Sequence, residues 1–281
     1  MAIKTVAVLG TGVLGAQIAF QAAVHGFRVR ACDLTEAGLQ AAGRTIDWMA
    51  AGMQRDLGLA AGVLADARRG LVLTTDPEQA LAGADLVIEA IPEDPDLKRG
   101  LYAQIAPLLA PGAINSSTLL PSALADAVPD PARFVALHFA NEIWHHNLAE
   151  VMGHPGTDPG VITAVAGFAR AIGMEAIVLD REQPGYVLNT LLVPFLMAAG
   201  GLVVDGVASP PDIDKVWRIA TGAPVGPFQI YDIVGLRTAF RIASAGGPKS
   251  QEFARWLKAH YLDHGKTGRD SGQGFYRYDA G

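Results

Sequence analysis

Val6-Ala-Val-Leu-Gly10-Thr-Gly12-Val-Leu-Gly15, with the helical stretch to about His25 and the β-rich run ending at Asp33, decides how the rest of the chain is read. The apolar run 6–9 suits a strand covered on both faces. Gly10 permits a tight turn, Gly12 leaves room for a pyrophosphate against the backbone, and Gly15 lets the next helix approach the strand. The helix is expected from about Ala16 to His25, with Val13 and Leu14 of the turn as further cofactor-binding candidates, and its N-terminus offers unbonded N–H groups and a positive dipole end to the phosphate. Three glycines alone are a weak signal. Strand, turn, helix and second strand in order make a stronger one. Asp33 lies about 20 residues beyond the glycines, where an acid binds the adenosine ribose 2′-hydroxyl. A carboxylate there repels a 2′-phosphate, so the expected cofactor is NAD rather than NADP.

Outward from this unit, strand-like runs recur at 71–74, 86–90, 113–115, 134–137, 149–152 and 176–179, with helical stretches between them. That alternation predicts an α/β fold with a doubly wound, mostly parallel Rossmann-type sheet. Residues 34–70 break the rhythm: long, Ala-rich and helical, they read as a helical-hairpin insertion at about 35–70. Beyond Asp180 the strand signal ends, Gln183-Pro184-Gly185 marks a boundary, and helical patterns run to about residue 264. Two domains follow: 1–183 for the cofactor, and a smaller all-α domain at 184–281. Gly272 to Tyr278 reads as an extended closing segment.

The 281 residues are half hydrophobic and carry a net charge of −6. No Lys/Arg cluster runs along the chain, so neither nucleic acid nor an anionic membrane is an expected partner. One cysteine, Cys32, excludes an internal disulfide framework and a Cys-based zinc site, and a cytoplasmic location is expected. The apolar run to Phe20 is broken by Gly10, Gly12 and Gly15, unlike a secretory leader. The run 191–204 contains Pro194 and Gly200-Gly201 and is shorter than the roughly 20 residues of a membrane span, so it reads as a core helix.

Hydride transfer from a secondary alcohol needs a base for the hydroxyl proton, and histidine suits that task. Among seven histidines, His138 stands at the C-terminal end of a predicted strand, where ligands bind in open α/β sheets. Taken alone, such a histidine is more often a packed structural residue. His145-His146 with Glu150 nearby lack further ligands at convincing spacing, so no metal is expected. These two histidines are candidates for lining the substrate mouth.

The chain resembles the 3-hydroxyacyl-CoA dehydrogenase family over nearly its whole length. The likeness is carried by GTGVLGAQIA, EAIPEDPDLK (89–98), NSST (115–118), LHFAN (137–141), AEVMG (149–153), PGYVLN (184–189), GAPVGPF (222–228) and GFYRY (274–278), in order and at matching spacing. The resemblance implies His138 as general acid/base and Glu150 as the acid paired with it. It implies Ser117 and Asn189 as partners of the substrate oxygen and the histidine, Asn141 near the substrate, and Glu93 and Lys98 beside the nicotinamide ribose. Asn115 is a further cofactor candidate. Asn189 lies past the boundary, so the expected cleft lies between domains. Each residue also has a plainer reading: Glu150 as a strand-end charge, Ser117 as a helix cap, Asn189 as a helix-surface residue, Glu93 and Lys98 as a helix-start pair.

The implied reaction is reversible, NAD(H)-dependent oxidation at C3 of a 3-hydroxyacyl or 3-oxoacyl compound, by an enzyme that pairs as a homodimer through its helical domain. The match weakens at Ala140 and in Glu142-Ile-Trp-His-His-Asn147. In the family the hairpin would hold a CoA tail, yet its cations are only Arg44, Arg55, Arg68 and Arg69. The substrate therefore stays open between a CoA thioester and a CoA-free 3-oxo or 3,5-dioxo ester. Two other readings stand beside it: a gulonate-type sugar-acid dehydrogenase on the same scaffold, and a non-catalytic NAD-binding or crystallin-like protein.

Overall fold

The computed structural model describes residues 2–278. The first unit, to Tyr186, is built as β1 Thr5–Leu9, α1 Val13–Val24, β2 Arg28–Cys32, α2 Glu36–Leu57, α3 Ala61–Gly70, β3 Val72–Thr74, α4 Pro77–Leu81, β4 Leu86–Glu89, α5 Pro95–Ile105, β5 Ile114–Ser117, α6 Pro121–Leu124, β6 Phe134–Phe139, β7 Leu148–Gly153, α7 Pro159–Ala171 and β8 Glu175–Val178. The eight strands form one sheet in the order β3-β2-β1-β4-β5-β6-β7-β8. All neighbours are parallel except β6 and β7. The strand order reverses between β1 and β4, which opens a crevice beyond their carboxyl ends.

β1 shows how sequence becomes layering. Successive side chains of a strand point to opposite faces. Val6 and Val8 join a core with Phe20, Ile46, Met49 and Phe168. Ala7 and Leu9 join the opposite core with Leu81, Tyr102, Leu124 and Phe134. With both faces covered, every residue of β1 is buried, which is why it reads as an unbroken apolar run.

The 22-residue α2 and the 10-residue α3 fill the insertion between β2 and β3. The Thr35 hydroxyl caps α2 by accepting from the Gly38 N–H at 3.0 Å, and Gly58 ends it with φ 66°. Strand ends differ from the sequence reading by one or two residues. Asp33 lies just past β2. β5 extends through Ser117, which therefore caps no helix, and β6 extends to Phe139, so that His138 lies inside the strand.

The second unit, from Val187 onward, contains α8 Tyr186–Val204 (after its first residue), α9 Pro210–Thr221, α10 Pro227–Val234, α11 Leu236–Ala245 and α12 Pro248–His260. Its core gathers Leu196, Phe228, Tyr231, Phe253 and Leu257. Two buried aspartates organise it. Asp214 accepts from the Phe228 and Gln229 N–H groups and the Tyr276 hydroxyl. Asp232 accepts from the Phe275 and Tyr276 N–H groups and the Tyr278 hydroxyl, pinning the closing segment. A Cβ on Gly274 would fall 1.9 Å from Asp232 Oδ1, so only glycine fits there.

α8 corrects the reading of 191–204 as a short core helix. The helix starts five residues earlier, and by length and composition alone its 19 residues are apolar enough to cross a membrane. Leu196 and Ala199 are buried, but Val187, Leu191 and Leu202 are exposed. The sequence pattern missed this because an almost wholly apolar helix has no contrasting face to read.

Candidate active site

The turn after β1 behaves as its glycines require. Gly10 has φ +92°, and a Cβ on it would sit 2.8 Å from the Ala90 carbonyl at the end of β4. A Cβ on Gly15 would sit 2.0 Å from the Gly10 carbonyl oxygen. Gly12, by contrast, faces open space. It precedes Val13 and Leu14 at the N-terminus of α1, which no side chain caps. That is a cradle for a phosphate, with backbone donors aimed at it.

Asp33 Oδ2 accepts from both the N–H and the hydroxyl of Thr11, at 2.9 and 2.8 Å. Partial burial pushes its carboxyl up. The bonds from Thr11 and from the Thr35 and Leu34 backbone outweigh that and hold it below the usual carboxylate range. Asp33 is therefore ionised and fixed in direction. Next to it, burial first, then Asp33 and Asp76, push the Cys32 thiol up to about 11, which makes it unreactive. Asn115, on β5, is buried, and its Oδ1 has no hydrogen-bond partner. It lies opposite Val87 of β4, two residues short of the carboxyl end of β5. The turn and Asp33 fit NAD.

β6 and β7 build the second group. Their antiparallel register places His138 directly opposite Glu150. Directly opposed side chains share a face of the sheet. Here His138 Nδ1 meets Glu150 Oε2 at 2.9 Å, with Glu150 buried. The contact assigns the Nδ1 proton to the bond and leaves Nε2 as the nitrogen that can meet a substrate oxygen.

The third group was only half visible in the sequence. Glu89, the last residue of β4, is buried and accepts three hydrogen bonds, one of them from the Ile91 N–H at 2.8 Å. Lys98 donates to its Oε1 at 2.8 Å, and the Ser117 hydroxyl donates to its Oε2 at 2.7 Å. Lys98 is completely buried, lies 3.5 Å from Glu93 and also donates to the Thr118 hydroxyl at 3.2 Å, while that hydroxyl bonds Glu93. Burial pushes the Glu89 carboxyl up, against the pull of Lys98 and Ser117. The expectation that Ser117 serves the histidine and the substrate oxygen meets a different placement. Ser117 pairs with Ala136, two residues short of His138, and its proton goes to Glu89.

The segment between His138 and Glu150 is fastened from outside. Gln17, buried on α1, accepts the N–H groups of Glu142 and Ile143 at 3.0 and 3.3 Å and holds Glu142 at φ 57°. Trp144 packs edge-on against Trp48 and against Gly52, where a Cβ would lie 2.9 Å from its ring; its indole N–H reaches Asp56 at 3.3 Å. Asn141, His145 and His146 are exposed, and the two histidine rings meet edge to face. Asn189 lies on α8 in the second unit and is half-buried. Among the described residues, no three His, Cys, Asp or Glu side chains group to hold a metal ion.

The family model of the 3-hydroxyacyl-CoA dehydrogenase NAD-binding domain matches residues 5–183, and that of the C-terminal domain matches residues 185–278. The chain belongs to the 3-hydroxyacyl-CoA dehydrogenase family. It is an NAD-dependent oxidoreductase of that family. The human mitochondrial hydroxyacyl-coenzyme A dehydrogenase is 31% identical over 288 residues, covering 98% of this chain and 91% of the relative. A probable 3-hydroxyacyl-CoA dehydrogenase of Caenorhabditis elegans is 31% identical over 290 residues, covering 98% and 96%. The structure of a diketoreductase, described as performing substrate-directed dual catalysis of dicarbonyl compounds, is 51% identical with a TM-score of 0.93, covering 99% of this chain and all of that one.

For this dehydrogenase, sequence reasoning missed Glu89, Thr118, Gln17, Gly38 and Tyr186. An acidic residue closing an apolar strand was the available signal for Glu89. Gly38 left none, because its role is spatial. A Cβ there would fall 2.2 Å from Asp33 Oδ1. Gly38→Ala is expected to displace the Asp33 carboxylate and raise KM for NADH about tenfold, the loss of one charge-assisted hydrogen bond, with little change in kcat. Steady-state kinetics at varied NADH checks this, and an unchanged KM would show that the carboxylate can retreat harmlessly.

Proposed function

We propose that this dehydrogenase reduces the 3-oxo carbonyl of a compact, CoA-free 3-oxo or dicarbonyl ester, and that His138 exchanges the proton with the oxygen at C3. The His138–Glu150 contact is the observation that carries the chemistry. In reduction, imidazolium Nε2 donates to the oxygen, and the Glu150 carboxylate stabilises the charged ring and fixes its tautomer. In oxidation the same nitrogen accepts the proton. NAD(H), when bound, supplies or takes the hydride. The Gly10–Gly15 turn and Asp33 hold its pyrophosphate and ribose. Lys98 and Glu93 stand with Ser117 and Thr118 in the network between β4 and β5, where the nicotinamide ribose would be steadied.

The substrate class rests on the hairpin. Residues 34–70 hold four arginines and four carboxylates. Arg55 pairs with Asp56 at 2.8 Å, Arg68 with Asp47 at 3.6 Å, and Arg69 with Asp66. A polyanionic CoA tail wants unopposed cations, and here the hairpin is neutral overall. The similar diketoreductase points the same way. The test is an NADH-oxidation panel of acetoacetyl-CoA against free 3-oxo and 3,5-dioxo esters. A free ester should show at least about tenfold higher kcat/KM, a difference near 1.4 kcal/mol in transition-state binding. Preference for the thioester would refute the CoA-free reading while leaving the proton chemistry standing.

A further inference from the structure

Glu150 holds one edge of the His138 ring; a different residue covers its face. Tyr186 stacks on the imidazole with ring centroids 4.4 Å apart and planes 12° from parallel. Its hydroxyl donates to the Thr118 carbonyl at 2.7 Å. Its N–H donates to the Gln183 carbonyl at 3.0 Å, and its φ is 56°, the left-handed region that a bulky residue rarely adopts. The ring is buried beside Ala136 and Met152. A backbone held in so uncommon a conformation, with the side chain anchored at its far end, fixes the ring at both ends. Burial, then Glu93, Glu150 and Glu89, push the phenol far up, so it stays neutral and exchanges no proton itself.

We propose that Tyr186 is a positioning residue for the general acid/base, fixing the plane of the His138 ring while Glu150 fixes its edge. The inference rests on His138 being that acid/base. A ring held only through Nδ1 can still roll about the Nδ1···Oε2 line, swinging Nε2 off the substrate oxygen. A stacked neighbour removes that freedom, and proton transfer needs such alignment within about 10–20°. The anchor also has a reference point. Thr118, which receives the Tyr186 hydroxyl, is the residue whose own hydroxyl joins Lys98 and Glu93. The plane of the base is thus set relative to the cofactor-side network.

The test uses Tyr186→Leu, Tyr186→Phe and, as a control, His138→Gln, in the full-length enzyme with NADH carrying deuterium at the transferred position. Tyr186→Leu should lower kcat about 10–100-fold, within the range for misplaced catalytic groups, leave KM for NADH within about twofold, and raise the primary isotope effect. Tyr186→Phe keeps the stacked ring and loses the tether, so kcat should fall only about two- to fivefold, with a smaller rise in the isotope effect. If Tyr186→Leu does not fold, Tyr186→Phe alone decides. A wild-type kcat and isotope effect in the folded variants, with His138→Gln inactive, would show Tyr186 to be packing only and overturn the inference. An active His138→Gln would instead remove the acid/base reading on which the inference stands.

Discussion

His138→Gln is expected to lower kcat for ketone reduction by roughly 10²–10⁴-fold while leaving NADH affinity nearly unchanged. Glutamine preserves approximate size and can still offer hydrogen bonds, yet its amide neither gives up nor takes a proton near neutrality. The change therefore isolates proton exchange from packing. The cofactor half should be untouched, because the Gly10–Gly15 turn joins β1 to α1 and Asp33 follows β2, whereas His138 belongs to β6. The measurements are single-turnover NADH oxidation with a 3-oxo ester and NADH binding by fluorescence titration. Turnover within tenfold of wild type would defeat the assignment of His138.

Lys98→Ala is expected to produce the largest loss of stability among single changes in the site. Lys98 and Glu89 are both fully buried, 2.8 Å apart. Removing one member of such a pair leaves the other as an uncompensated buried charge, which costs about 3–5 kcal/mol. For a chain of this size each kcal/mol corresponds to roughly 2–4 °C in Tm, so a fall of about 6–20 °C is expected. The deficit should depend on pH. The Glu89 carboxyl is already raised in the folded protein, so the folded state binds its proton more tightly than the unfolded chain does. Stability tied to that group is present at low pH and is lost as pH rises through the folded value. Without Lys98 the upward push is greater, so the variant should recover part of its deficit as pH falls from 8 toward 5. Thermal melts of both proteins across that range would reveal it. A deficit constant with pH would mean that water reaches Glu89 when the lysine is gone.

The dinucleotide unit could be read from sequence because each of its constraints is local. Gly10, Gly12 and Gly15 lie within six residues, and Asp33 follows at a distance set by one helix and one strand. The sheet was legible because its strands are buried on both faces and so appear as apolar runs. Other features were hidden for definite reasons. Glu89 and Ser117 are 28 residues apart and meet only because β4 and β5 are adjacent. The resemblance implies Ser117 as a partner of the substrate oxygen and the histidine, and it does not reveal that the same hydroxyl donates to Glu89 on the adjacent strand β4. The pairing of His138 with Glu150 was implied by the family resemblance, whereas the antiparallel run of β6 and β7 that brings them opposite is a direction that short apolar runs do not reveal. Tyr186 reads as an ordinary aromatic after Pro-Gly, and only the folded backbone turns its ring onto the imidazole.

Gln17 has a consequence for anyone who would redesign this enzyme. It sits two residues after the last glycine of the nucleotide turn, yet its carboxamide oxygen receives both N–H groups that shape the segment between His138 and Glu150. One helix therefore serves two workshops. Mutations chosen on α1 to change cofactor preference would be inherited by the proton-handling segment, and a library that varies the two regions independently would discard most of its compatible pairs. Sound practice would randomise position 17 and residues 140–147 together, treating them as one heritable module.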